Sequence, residues 1–228
     1  MSGRTRPALR DNGLTLVVGG IFLLTLAGQA AVGVAMFNEE QVAAGLEPIT
    51  LLQYVTTSVF AADVTENWQS EFLQFTLYIT ATVWFVQRGS PESKELDKVG
   101  RESDEDQLLG EHVRPDSPAW ARRGGWRLAL YSRSLSLVMG LIFLLSWLAQ
   151  SVTGAVAYNE EQLRNRQDPV SWPEYLVLPD FWSRTLQNWQ SEFLAVASMV
   201  ILAVYLRERG SPESKPVGAP HTATGMEG

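Results

Sequence analysis

The chain contains no cysteine and only two histidines among its 228 residues. The first absence removes disulfides, thiolate nucleophiles and cysteine-held metals from consideration. His112 and His221 fall in polar stretches, so no imidazole is available for metal binding or acid–base chemistry within the apolar segments. Charge is missing over long intervals as well. Leu14 to Phe37 and Ser134 to Tyr158 hold no charged residue, and neither do Phe72 to Val86 or Phe193 to Leu206. The last two extend to about 20 residues when their Asn-Trp-Gln-Ser-Glu starts are included, the length an α-helix needs to cross roughly 30 Å of hydrocarbon. Four spanning helices are expected, at about 14–37, 67–87, 134–158 and 187–207. A cleaved signal accounts poorly for the first run, which exceeds the roughly 7–15 apolar residues of a signal core. Its counterpart at 134–158 also lies in mid-chain.

The features that are present occur twice. Asn67-Trp68-Gln69-Ser70-Glu71-Phe72 returns as Asn188 to Phe193, Asn38-Glu39-Glu40-Gln41 as Asn159 to Gln162, and Arg88-Gly89-Ser90-Pro91-Glu92-Ser93-Lys94 as Arg209 to Lys215, each 121 residues later. A gapless copy of this length is a duplicated structural unit. The chain divides into a first hairpin (1–94), an acidic linker (95–126), a second hairpin (127–215) and a tail (216–228). The linker gathers Glu95, Asp97, Glu102, Asp104, Glu105, Asp106 and Glu111. Dense charge with few apolar residues predicts disorder in its 95–119 portion, and the tail reads likewise.

Only three of the 18 lysines and arginines, Arg164, Arg166 and Arg184, lie in the segments 38–66 and 159–187. The others, from Arg4, Arg6 and Arg10 through the linker to Arg207, Arg209 and Lys215, flank the opposite ends of the apolar runs. Positive flanks stay inside, so both termini and the linker are expected in the cytoplasm. The expected fold is an all-α membrane protein of four spanning helices, two tandem hairpins with parallel pseudo-twofold symmetry. Each outer loop carries a capping-box pattern, Thr50-Leu51-Leu52-Gln53 and Ser171-Trp172-Pro173-Glu174, predicting short helices near 51–62 and 172–184. Between 42–66 and 163–187 only Pro48, Tyr54 and Phe60 are kept, so the identity of the polar motifs stands out against drift.

Glu71 and Glu192 fall just inside the start of the second helix of each hairpin, one turn after Asn67 and Asn188 on the same face. Gln29 and Gln150 lie on the small-residue face of the first helices, which continues toward Glu40 and Glu161. These eight residues form a candidate polar or cation site near the outer leaflet. Intramembrane acids point to function. Acids in the first helical turns and asparagine caps are equally favoured by the helix itself. Locking of the hairpins is therefore the leading expectation and cation handling the alternative. In Arg-Gly-Ser-Pro-Glu-Ser-Lys, glycine suits a left-handed helix end and Ser-Pro-Glu a new turn, but the identity of Glu-Ser-Lys in both copies needs a further contact, expected between repeats.

The twin Asn-Trp-Gln-Ser-Glu-Phe and Arg-Gly-Ser-Pro-Glu-Ser motifs on four expected spans resemble an uncharacterised family of bacterial integral membrane proteins. The resemblance covers nearly the whole chain outside linker and tail. It implies an inner-membrane protein and carries no known activity or catalytic residue. Three classes compete: a structural or accessory membrane protein, a transporter or channel component for a cation or small cationic solute using Glu71 and Glu192, and an enzyme. With no nucleophile, metal set or acid–base pair evident, no enzyme, cofactor or metal is expected. The expected partner is the lipid bilayer; a homo-oligomer and a protein partner at the acidic linker are left open, although charge runs are usually just solvated, and nucleic acid is not among them.

Overall fold

The computed structural model describes residues 10–226, and Arg4 and Arg6 lie outside the described residues. Every regular element among the described residues is helical: α1 (Gly13–Ala43), α2 (Leu51–Tyr54), α3 (Ser58–Ala81), α4 (Ala119–Arg123), α5 (Gly125–Tyr131), α6 (Ser134–Arg164), α7 (Trp172–Tyr175) and α8 (Pro179–Tyr205), with a 3-10 turn at Gly110–His112. α6 begins and ends 121 residues after α1, α7 does so after α2, and α8 starts 121 residues after α3 but ends at Tyr205, past the counterpart of Ala81. Contacts gather the chain into two units. One runs to Val64 and includes Val152–Ser171; the other takes Thr65–Ser151 and resumes at Trp172. Each unit therefore holds residues from both copies.

Among the described residues, α1 and α6 are long and apolar enough to cross a membrane, 31 residues each. At 1.5 Å per residue that is about 46 Å, more than a hydrocarbon core. Their apolar side chains are largely uncovered: Leu14 is 81 % exposed and Leu24 75 %. The core helix of a soluble protein would bury such a surface, whereas a helix in lipid leaves it facing an apolar solvent. α3 and α8 have comparable lengths of 24 and 27 residues but begin with more polar and charged stretches, including Asp63, Glu66 and Glu71, and Asp180, Arg184 and Glu192.

These helices start earlier than their apolar runs. The outer helix expected over 51–62 breaks at 55–57. There the Thr56 and Thr57 hydroxyls each donate at 2.7 Å to the carbonyls of Gln53 and Tyr54, and the Phe60 amide donates to Thr57 Oγ1. Local side-chain bonds thus end one helix and cap the next. The capping box itself forms, with the Thr50 amide donating to Gln53 Oε1 at 2.8 Å. In the second copy Pro179 occupies the first turn of α8, where its missing N–H is harmless. α3 ends at Ala81, leaving Trp84 and Phe85 beyond the helix and exposed.

In the first unit, α1 and α6 end in the same way. Leu46 donates its amide to the Gln41 carbonyl and Gln167 to the Gln162 carbonyl, both at 2.8 Å. This closure needs a left-handed residue, supplied by Gly45 at φ +74° in one copy and by Arg166 at φ +57° in the other. A side chain in that conformation costs about 1–2 kcal/mol. Arg166→Gly should raise thermal stability by about 1 kcal/mol, read from the unfolding midpoint in detergent; an unchanged or lower midpoint would contradict the strain.

The three residues kept in the loops are partly explained by packing. Tyr54 and Phe60 pair at 5.4 Å between ring centroids in the first unit, and Tyr175 and Phe181 at 5.7 Å in the second. Burial, then Asp63 and Glu40, push the Tyr54 phenol above its ordinary value of 10.0. Burial and the Asp180 carboxylate that accepts its hydroxyl raise Tyr175 as well. Each phenol binds its proton more tightly folded than unfolded, so stability is full below the ordinary value and falls as pH climbs above it. In ultraviolet titration, Tyr54→Phe and Tyr175→Phe should each remove one tyrosine that ionises above the ordinary range. Gly33 is fixed by the same packing, because a Cβ there would stand 2.8 Å from Tyr54 Cζ.

Candidate functional site

The retained asparagine at the end of each long helix grips the loop that follows. Asn38 Nδ2 donates to the Ile49 carbonyl at 2.9 Å, and the Ile49 amide donates to Asn38 Oδ1 at 2.7 Å. Asn159 does the same to Val170, at 2.8 and 2.9 Å. An amide side chain presents one donor and one acceptor side by side, so it can replace a neighbouring strand for a single residue. Beside these clamps in the first unit, Glu40 meets Arg164 at 3.6 Å and Glu160 accepts the Ser58 hydroxyl at 3.0 Å.

The Arg-Gly-Ser-Pro-Glu-Ser-Lys motifs lock their own ends. Gly89 and Gly210 both hold φ near +85°, at +85° and +86°. Ser93 Oγ accepts the Gln87 amide and Ser214 Oγ the Glu208 amide, each at 3.0 Å. Lys94 Nζ donates to the Gly100 carbonyl six residues on, and Lys215 Nζ to the His221 carbonyl six residues on, both at 2.9 Å. Ser and Lys of the motif are therefore used within each copy. Glu92 accepts the Tyr78 hydroxyl. The first-copy motif also meets the tail: the Gly89 amide donates to Thr224 Oγ1 at 2.9 Å, and the Gly225 amide to the Ser90 carbonyl at 3.0 Å.

These bonds give the tail a defined course where composition alone suggests disorder. Lys215 is only 1 % exposed and also donates to the carbonyls of Pro220 and Ala223. Arg207 Nη2 reaches the Ala219 carbonyl at 3.1 Å, and the His221 ring packs 5.5 Å from Tyr205. Burial, then the Arg207 charge, holds the Lys215 amine below its ordinary range. The linker likewise folds into turns, the 3-10 turn and α4.

The eight residues expected at a polar site divide between the units. Gln29, Glu40 and Glu161 belong to the first, and all three are exposed. Asn67, Glu71, Gln150, Asn188 and Glu192 belong to the second. There Glu71 and Glu192 lie within electrostatic range of one another, Glu71 exposed and Glu192 half-buried. Neither makes a hydrogen bond or ion pair among the described residues. Asn188 Nδ2 bonds back to the Arg184 carbonyl in its own helix, and Arg184 pairs with Glu66 at 3.2 Å and Asp180 at 3.5 Å.

The two copies of the Asn-Trp-Gln-Ser-Glu-Phe motif are used differently. Gln69 is 0 % exposed and its Oε1 accepts the Trp189 indole N–H at 2.7 Å, whereas its counterpart Gln190 is exposed. Trp147 stacks 5.7 Å from Phe143 and 6.2 Å from Phe181, and lies 5.8 Å from Trp189. Phe181, Thr185 and Trp189 follow one another at four-residue spacing on α8, as Trp147, Gln150 and Ser151 share a face of α6. Gln69 Nε2, Trp147 Nε1, both amide atoms of Gln150 and Thr185 Oγ1 are buried with no partner among the described residues. Sequence reasoning missed Trp147 and Thr185, because attention to agreement passes over divergence: their counterparts are Leu26 and Val64. The mismatch was the available signal.

Among the described residues no cluster of three or more histidine, cysteine or acidic side chains is placed to hold a metal. Comparison with curated proteins and with solved structures finds no match. From residue 5 to residue 226 the chain matches the family described as a domain of unknown function, DUF6766, and it belongs to that family.

Proposed function

We propose that the protein is a structural or accessory component of a cell membrane, crossing it four times as two hairpins with both termini and the linker in the cytoplasm. α1 and α6 provide two crossings, and α3 and α8 complete them by sinking their apolar halves. The observation that carries this reading is the repeated use of motif side chains as clamps. Asn38 and Asn159, Ser93 and Ser214, and Lys94 and Lys215 each bind backbone at the same offset in both copies. Side chains committed to backbone in this way hold an architecture together and present no reactive group. We propose no enzymatic role.

The buried, unpartnered hydroxyl of Thr185 in the second unit tests this reading. In an apolar surround an unpartnered polar group is costly, and its removal is neutral or stabilising. Thr185→Val installs the residue that the first copy carries at Val64. It should leave the unfolding midpoint equal or raise it, by up to about 1 kcal/mol. A loss of more than about 1 kcal/mol would mean that Thr185 is itself a lock.

A second reading, cation handling, is favoured by one observation: Glu71 and Glu192 approach one another without a partner side chain. In liposomes loaded for monovalent cation flux, Glu71→Gln with Glu192→Gln would abolish flux and leave folding intact. Equal flux for wild type, double variant and empty liposomes would leave the structural reading standing alone.

A further inference from the structure

We infer that residues 118–133, immediately before α6, form a binding site for an anionic phospholipid of the cytoplasmic leaflet. This rests on the membrane-spanning reading of α6. The segment is the point where the chain's charge reverses. After the acidic run that ends at Asp116, no acid occurs until Glu160, whereas Arg122, Arg123, Arg127 and Arg133 fall within twelve residues. No carboxylate pairs with any of the four among the described residues. Arg122 Nη1 is held at 3.3 Å by the Pro115 carbonyl, and the Arg127 guanidinium lies 5.2 Å over the Trp126 ring. Three of the four are exposed and Arg127 is half-buried.

Apolar surface accompanies the charge. Trp126 is 66 % exposed, and Trp120, Leu130 and Tyr131 are also uncovered. Trp120 meets Trp126 edge-on at 6.0 Å. Gly124 and Gly125, at φ +65° and +58°, break α4 from α5 in a conformation other residues rarely adopt. Pro118, Ala119, Trp120 and Tyr131 line a shallow, open apolar cleft of about 300 Å³. Arginines beside exposed tryptophans and a cleft of this kind match the two ends of one molecule: phosphate on the guanidinium forks, glycerol and upper acyl chain in the cleft. The acidic linker is the competing occupant, and it makes no ion pair to these arginines.

The test uses the purified full chain in detergent, titrated with phosphatidylglycerol and with phosphatidylcholine of the same acyl chains, bound lipid being counted by native mass spectrometry. Wild type should prefer phosphatidylglycerol, and the preference should fall roughly hundredfold in Arg122→Gln/Arg123→Gln/Arg127→Gln, from about fivefold per arginine. The triple lysine variant should keep most of it. Trp120→Ala with Tyr131→Ala should weaken both lipids while the preference stays. Equal binding of the two lipids by wild type, a preference that survives the glutamine substitutions, or displacement by inorganic phosphate alone would each overturn the site. Extraction of the protein from membranes by alkaline carbonate would instead overturn the spanning reading, so the two failures are separable.

Discussion

Replacing Asn38 and Asn159 together by alanine is expected to lower the stability of the chain by about 4 kcal/mol, about 2 kcal/mol for each clamp. Each substitution leaves a half-buried amide and carbonyl, those of Ile49 or Val170, without the partner that now meets both. The two clamps share no residue, so their losses should add. The measurement is unfolding in detergent, followed by hydrogen exchange at the two loops. Asn38→Ala should speed exchange at Ile49 and leave Val170 unchanged, with the reverse for Asn159→Ala. Asn38→Asp is diagnostic, because a carboxylate still accepts the Ile49 amide but faces the Ile49 carbonyl with charge instead of a donor. It should be no more stable than alanine. A stable aspartate variant would show that the acceptor half of the clamp suffices.

Lys215→Met should release the tail. Three carbonyls at 2.9–3.3 Å converge on the buried Lys215 amine, and a thioether offers them nothing. Losing a charged donor shared among them costs roughly 3 kcal/mol, a factor of about a hundred in the population of the released form. Limited proteolysis between Pro216 and Met226 should accelerate by about that factor. The first-copy counterpart behaves differently: Lys94 meets one carbonyl and Glu102, and is a quarter exposed. Lys94→Met should cost about 1 kcal/mol or less. Equal effects at the two lysines would contradict the assignment of the tail to Lys215.

These two predictions mark where the sequence was informative and where it was not. The clamps sit on residues that agree between copies, and agreement at Asn38, Ser93 and Lys94 was visible in the letters alone. The capping box at Thr50 was legible too, because it depends on residues three apart. The break at 55–57 was not, since it turns on which carbonyls the Thr56 and Thr57 hydroxyls choose. Gln69 and Gln190 are identical letters in identical motifs, yet one is buried against Trp189 and the other is exposed. Tertiary surroundings decide that, and no local pattern records them. The tail was misleading for the same reason: its composition is polar, but its backbone carbonyls satisfy a lysine that precedes it.

The central claim is the topology, four crossings with the long outer loops on one side and the linker on the other. The absence of native cysteine makes it directly measurable, because any introduced thiol is the single reactive one. Gly45→Cys, Ser103→Cys, Asn165→Cys and Gly218→Cys would be made separately and exposed, in intact cells with the outer face accessible, to a membrane-impermeant maleimide. Labelling at positions 45 and 165, with 103 and 218 labelled only after the membrane is opened, is the predicted result. Labelling of position 103 from outside, or protection of 165 while 45 reacts, would contradict it.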